Sequence, residues 1–121
     1  MIKIQNSKHY DLEQRTFDFA KRVRSLVKKL PKTVANIEDS KQIIRSSGSI
    51  GANYIEANES LSKKDFVMRI KISRKEAKES GYWLQLLYVG EDTNLEKERQ
   101  GLIQEAMELM MIFSSIMRKS A

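Results

Sequence analysis

Apolar residues along this chain recur every three or four positions, in four runs separated by short breaks. In the first run Leu12, Thr16, Phe19, Val23, Leu26 and Leu30 follow a 4-3-4-3-4 spacing, widened by Ala20 and Val27. That is the stripe of an amphipathic helix. It is predicted over residues 10–30 and stopped by Pro31, which lacks the backbone N–H needed to continue. A second helix is predicted behind Asn36 as N-cap, with Glu38 and Asp39 suited to the positive end of the helix dipole. Its stripe is Ile43, Ser47, Ile50, Tyr54, Ala57 and Leu61. Ser62-Lys63-Lys64-Asp65 reads as a capping box opening a third helix. Phe66, Ile70, Ser73, Ala77, Leu84 and Tyr88 share its face, and Gly90 is its expected stop. Thr93-Asn94-Leu95-Glu96 is a second capping box, after which Leu95, Leu102, Ala106, Leu109, Phe113 and Ile116 align. No segment alternates with a strand's period of two. Short loops between long helices make antiparallel neighbours. The expected fold is therefore all-α: a single-domain, up-down-up-down four-helix bundle over residues 10–119, behind an N-terminal tail of residues 1–9.

The stretch 42–59, QIIRSSGSIGANYIEANE, is helical in period but crowded with small and polar residues. A glycine inside a helix costs about 1 kcal/mol relative to alanine, so Gly48 and Gly51 imply compensating close packing. Several helices also carry a second apolar stripe. Ile44, Gly48, Gly51 and Ile55 line one on helix 2, Met68, Ile72, Trp83 and Leu86 one on helix 3, and Met107, Met111 and Ile112 leave the core stripe of helix 4. Two readings stand: a broad core face with scattered exposed apolar residues, or a subunit interface. The interface reading names Ile44, Gly48, Gly51, Ile55, Ile72 and Trp83, with Trp83 as the expected anchor.

Composition narrows the class. The 121 residues are 40% hydrophobic and 31% charged, and no apolar run approaches the length of a membrane span. The N-terminus lacks the apolar core of a signal peptide. The absence of cysteine rules out disulfides and thiolate metal sites, and with it a cytoplasmic setting is expected. The net charge is +6 and unevenly spread. Residues 21–45 hold eight Lys/Arg against two acids, residues 63–78 seven against two, and residues 91–108 six acids against Lys97 and Arg99. A basic half beside an acidic segment attracts a polyanion or pairs subunits.

Little catalytic chemistry can be assembled. His9 is the lone histidine and precedes helix 1. The paired Glu-x-x-His motifs of di-iron bundles are missing, as are a phosphate loop, H-E-x-x-H and a base to activate a serine. No enzyme activity, cofactor or metal is expected. One polar grouping, Arg45, Ser49, Asn53, Glu56 and Glu76, with Glu79 nearby, reads either as a network fixing helix register or as a small-molecule site. The basic residues offer a second grouping. Lys71, Arg74, Lys75 and Lys78 project from one side of helix 3, behind Lys63 and Lys64. Helix 1 adds Arg15, Lys21, Arg22, Arg24, Lys28 and Lys29, and Lys32 follows. Such a face either neutralises phosphates without reading sequence or is a solvated surface. Arg22, Lys28, Lys71, Arg74 and Lys78 are the candidate phosphate contacts. No stacking aromatic clearly interleaves with them.

QIIRSSGSIGANYIEANESLSKKDF, followed by RIKISRKEAKESGYWLQLL, resembles the signature of the four-helix bundle proteins encoded in 23S ribosomal RNA intervening sequences. The matching positions are Gln42, Arg45, Ser46, Ser49, Ile50, Asn53, Glu56, Phe66 and Glu76, and YDLEQRTFDFAKRVRSLVKKLPKT fits the family's first helix and its Leu-Pro stop. One departure is Glu56-Ala57-Asn58, where many members read Glu-Gly, which leaves the loop after helix 2 unspecified. The resemblance implies a homo-oligomer, a pentamer with a central channel, and an association with RNA. In a related branch, the accessory proteins of diversity-generating retroelements, it implies binding of nucleic acid and a reverse transcriptase through basic surfaces. The expectation is a non-enzymatic oligomeric bundle binding RNA or DNA through helices 1 and 3. The alternative is a protein–protein adaptor or structural oligomer without nucleic-acid affinity.

Overall fold

The computed structural model describes residues 12–120, so the tail of residues 1–9 with His9 and the expected helix start at Tyr10 lie outside it. Four helices follow in order: α1 (Leu12–Lys28), α2 (Val34–Asn58), α3 (Lys63–Leu86) and α4 (Thr93–Ser120). Each packs on its chain neighbours and α1 also meets α4, while α1–α3 and α2–α4 have no close backbone approach. The chain directions oppose at every seam. Gly51 meets Thr16 and Gly48 meets Arg24; Ser46 meets Ser80 and Ile50 meets Ser73; Gly81 meets Ala106 and Leu87 meets Arg99. The result is an antiparallel four-helix bundle. No helix among the described residues is long and apolar enough to cross a membrane.

The predicted stripes are the core. Phe19, Val23, Leu26, Ile43, Ile50, Ile70, Leu84, Leu109 and Phe113 are fully buried, and Tyr54 and Phe113 tilt against each other across the diagonal at 5.8 Å. The small residues of α2 face two neighbours. Toward α3 they form a hydroxyl seam, where Ser46 and Ser80 share a hydrogen bond of 2.8 Å and Ser73 donates to the Ile50 carbonyl at 2.9 Å. Ser46, Ser73 and Ser80 are fully buried, so each hydroxyl has to find such a partner. Toward α1, Gly51 admits Thr16, which is buried and bonded back to the Leu12 and Glu13 carbonyls.

The two helical glycines differ. A Cβ at Gly51 would stand 2.8 Å from Thr16 Oγ1, whereas one at Gly48 would meet only Arg24 Nη2 at 3.6 Å. Gly51→Ala is therefore expected to destabilise by about 1–2 kcal/mol, overpacking outweighing the helix-propensity gain. Gly48→Ala should stabilise the isolated subunit by roughly 0.5–1 kcal/mol. Urea denaturation of the two variants checks the signs, and equal shifts would refute the contrast.

The helix ends differ from expectation in four places. The N-cap of α2 is Thr33, whose hydroxyl accepts from the Asn36 N–H at 3.0 Å; Asn36 lies inside the helix, only 2% exposed. Its side chain serves a tertiary contact instead: Nδ2 donates to the Pro31 and Tyr88 carbonyls, both at 2.8 Å, and Oδ1 accepts from the Tyr88 N–H at 2.9 Å. The third helix does open at Ser62, which accepts from the Asp65 N–H at 3.1 Å, but it ends at Leu86 rather than Gly90. Leu87 turns extended, Leu87 and Val89 are buried, and Arg99 of α4 donates to the freed carbonyls of Leu87 and Gln85. Gly90, at φ 69°, makes the turn that follows. The cap of α4 is Asp92, accepting from the Leu95 N–H at 3.1 Å, while Glu96 turns to Arg99 and Gln100 rather than back to Thr93. Leu61 and Tyr88, placed on core stripes by period, lie beyond the helix ends and are exposed.

Candidate nucleic-acid interface

The bundle sorts the basic residues by which helix they face. At the α1–α4 seam two of the cations, Arg15 and Lys29, are neutralised by acids of α4. Arg15 grips Glu105 through Nε and Nη2 at 2.7 and 2.9 Å and also reaches Glu108 at 2.7 Å, and Lys29 pairs with Glu98 at 2.8 Å. These contacts raise the Arg15 pKa, chiefly through the Glu105 hydrogen bond, and lower that of Glu108, first through Gln104 and then through Arg15. Arg24 donates to the Ala20 carbonyl at 3.1 Å, and Lys21 lies over the Phe17 ring at 5.6 Å. Arg22 and Lys28 are exposed and form no ion pair among the described residues.

The basic face of α3 looks away from those acids. Lys71, Lys75 and Lys78 are exposed and Arg74 is half-buried. None of the four has an ion-pair partner among the described residues. The one acidic pair beside them is already engaged: Glu76 and Glu79 both accept from Arg45 Nη2, at 3.4 and 3.2 Å. Because α1 and α3 are diagonal, one subunit does not bring Arg22 and Lys28 to the same surface as Lys71, Arg74 and Lys78.

The expected polar grouping divides into two clusters along the α2–α3 seam. Arg45 holds Glu76, which is 6% exposed, and Glu79. One turn on, Asn53 donates to Ser49 at 2.9 Å and accepts from Arg69 at 2.9 Å. Glu56 is exposed and joins neither cluster. The interface candidates also fall on two sides. Gly48, Gly51 and Ile55 line a groove of about 410 Å³ between α1 and α2, with Phe17, Ala20 and Ala52 beside them and Lys21 and Arg24 at the rim. Ile44, Ile72 and Trp83 are half-buried elsewhere, and the Trp83 Nε1–H is buried with no hydrogen-bond partner among the described residues. Period and composition give Arg69 and Arg99 no role and Asn36 only that of a cap, since each acts on a group well away in the chain.

Fold and surface define a small antiparallel four-helix bundle with exposed cations outside any ion pair on both α1 and α3 among the described residues. The chain belongs to the 23S rRNA-intervening sequence protein family, whose model matches residues 8–115. It is similar to a crystal structure of a protein of unknown function from the S23 ribosomal protein family of Bacteroides thetaiotaomicron. The two are 33% identical with a TM-score of 0.72, over 87% of this chain and 96% of that one. A comparison with curated proteins found no match.

Proposed function

We propose that this chain is a non-enzymatic, self-associating bundle that binds RNA through its phosphates along the outward face of α3. The observation that carries this is the set Lys71, Arg74, Lys75 and Lys78, cations held on one helix with no ion-pair partner among the described residues, the adjacent Glu76 and Glu79 being held by Arg45. Nonspecific phosphate binding needs only that. The family's description, which ties it to 23S rRNA intervening sequences, supports RNA as the polyanion.

Self-association is supported by Gly48, a residue that its own subunit does not require to be small. It floors an apolar groove flanked by Phe17 and Ile55, 58% and 46% exposed. A second copy is the proposed occupant. The exposed Met111 on α4 matches the apolar lining of that groove. Two different patches make a head-to-tail contact, which closes into a ring when the rotation allows.

Light scattering with a labelled structured RNA, at about 50 and 300 mM salt, tests both parts, since phosphate contacts weaken steeply across that range. A multimer that takes up RNA only at low salt is expected. A multimer indifferent to RNA at both salts would leave the adaptor reading in its place, and a monomer would remove the self-association.

A further inference from the structure

We infer that α3 is built for unpaired RNA, with Tyr82 as a stacking platform for a base whose phosphates run along Lys71, Lys75 and Lys78. This rests on the RNA reading above and names the form of RNA.

The line is set by helix geometry. At about 100° per residue, residues 71, 75, 78 and 82 fall within roughly 60° of one another, on the side of α3 opposite Ser73, Ala77, Ser80 and Leu84, which are buried. Lys64 lies on the same line one helical stretch earlier. From Lys71 to Tyr82 the helix rises about 16 Å, the length of roughly five stacked nucleotides at 3.4 Å each.

Tyr82 is the aromatic that this line leads to. It is 57% exposed, and its ring stands as a wall between two depressions. One contains Lys75 and Lys78 together with Arg45 and the two carboxylates it holds, Glu76 and Glu79; the other is mostly apolar, with Ala77, Gly81, Ile103, Ala106 and Met107 around it beside Lys78 and Gln85. The ring is steadied by Trp83, edge to face at 5.1 Å and 76°. An exposed aromatic held rigid beside unpaired cations is the arrangement that binds single strands: cations track the backbone, and the π-face accepts any base that is not already stacked in a duplex. A duplex presents the same phosphates but no free base face. The apolar depression beside Tyr82 gives the flipped-out base a second, dry wall.

The test uses the full chain and two fluorescein-labelled RNAs, an oligo-uridine 12-mer and a 12-base-pair duplex, by anisotropy at low salt. Wild type should prefer the single strand. Tyr82→Leu should weaken single-strand binding about tenfold and leave duplex binding unchanged, while Tyr82→Phe retains both. Trp83, the only tryptophan, reports independently: its fluorescence should change on adding the unlabelled 12-mer to wild type and not to Tyr82→Leu. Circular dichroism confirms that each variant is folded. Equal single-strand affinity in wild type and Tyr82→Leu would overturn the inference and leave phosphate binding standing. Loss in Tyr82→Phe as well would assign the effect to the hydroxyl and overturn stacking. No binding of either RNA would overturn the RNA reading itself, and a change of oligomer mass in Tyr82→Leu without any RNA effect would make this face a protein contact.

Discussion

Replacing Asn36 by alanine should destabilise the bundle by about 3 kcal/mol, lowering its melting temperature by roughly 10 °C. The side chain is buried and makes three hydrogen bonds, one to the end of α1 at Pro31 and two to the backbone of Tyr88 after α3. Alanine removes all three at once and strands the Tyr88 N–H and C=O and the Pro31 carbonyl. Each unsatisfied buried group costs about 1–3 kcal/mol, partly recovered if water enters. Asn36→Asp sets a carboxylate oxygen, which cannot donate, against the two carbonyls in a buried site, so at neutral pH it should destabilise at least as much as alanine. Melting curves at one fixed protein concentration read the result, since assembly shifts apparent stability. A change within about 0.5 kcal/mol, the range of an ordinary surface substitution, would mean that the two loops are held together by something else.

Reversing Lys71, Lys75 and Lys78 to glutamate should cut RNA affinity at low salt by a factor of about 100 or more and flatten its dependence on salt by two to three phosphate contacts. Lys75 replaces Arg74 in this set because Arg74 is half-buried while Lys75 is exposed on the outward line. The triple change takes the formal charge of +6 to zero, so a control has to lose as much charge elsewhere. Reversal of Arg22 and Lys28 on the diagonal helix α1 and of Lys32 just behind it does so away from the proposed subunit groove. If the two triple variants bind equally weakly, net charge rather than a surface on α3 governs binding.

The core was readable from period alone, because Phe19, Ile43, Ile70, Leu109 and Phe113 need only a helix and one buried side to be placed. The helix ends were not. Asn36 has the side chain of a cap, and only the arrival of Tyr88, 52 positions later, decides that it bonds across loops instead. Arg99 likewise closes the end of a helix other than its own. The candidate surface was half readable. The clusters of cations and the acidic run at 91–108 are plain in the sequence, but not that Glu98, Glu105 and Glu108 pair with Arg15 and Lys29 and with no cation of α3. Helix α4 packs on both α1 and α3, so that depends on which of its faces carries the acids. The stacking role offered for Tyr82 was hidden for a related reason: at 82 it is four positions past Lys78, and its exposure follows from α3 presenting that line outward.

The seam between α1 and α4 is the sparsest of the four, and much of it consists of Arg15 with Glu105 and Glu108 and of Lys29 with Glu98. Partly exposed ion pairs contribute little and are screened by salt. The shortest helix is thus fastened on one side by the weakest kind of contact, while α2, α3 and α4 are joined through buried side chains. Local opening should begin there, with α1 swinging on the Pro31 loop and the other three helices left as a unit. In a ring of such subunits, the same opening would loosen the groove that receives the next copy, so the least stable hinge in each bundle would also set how readily the assembly exchanges its members.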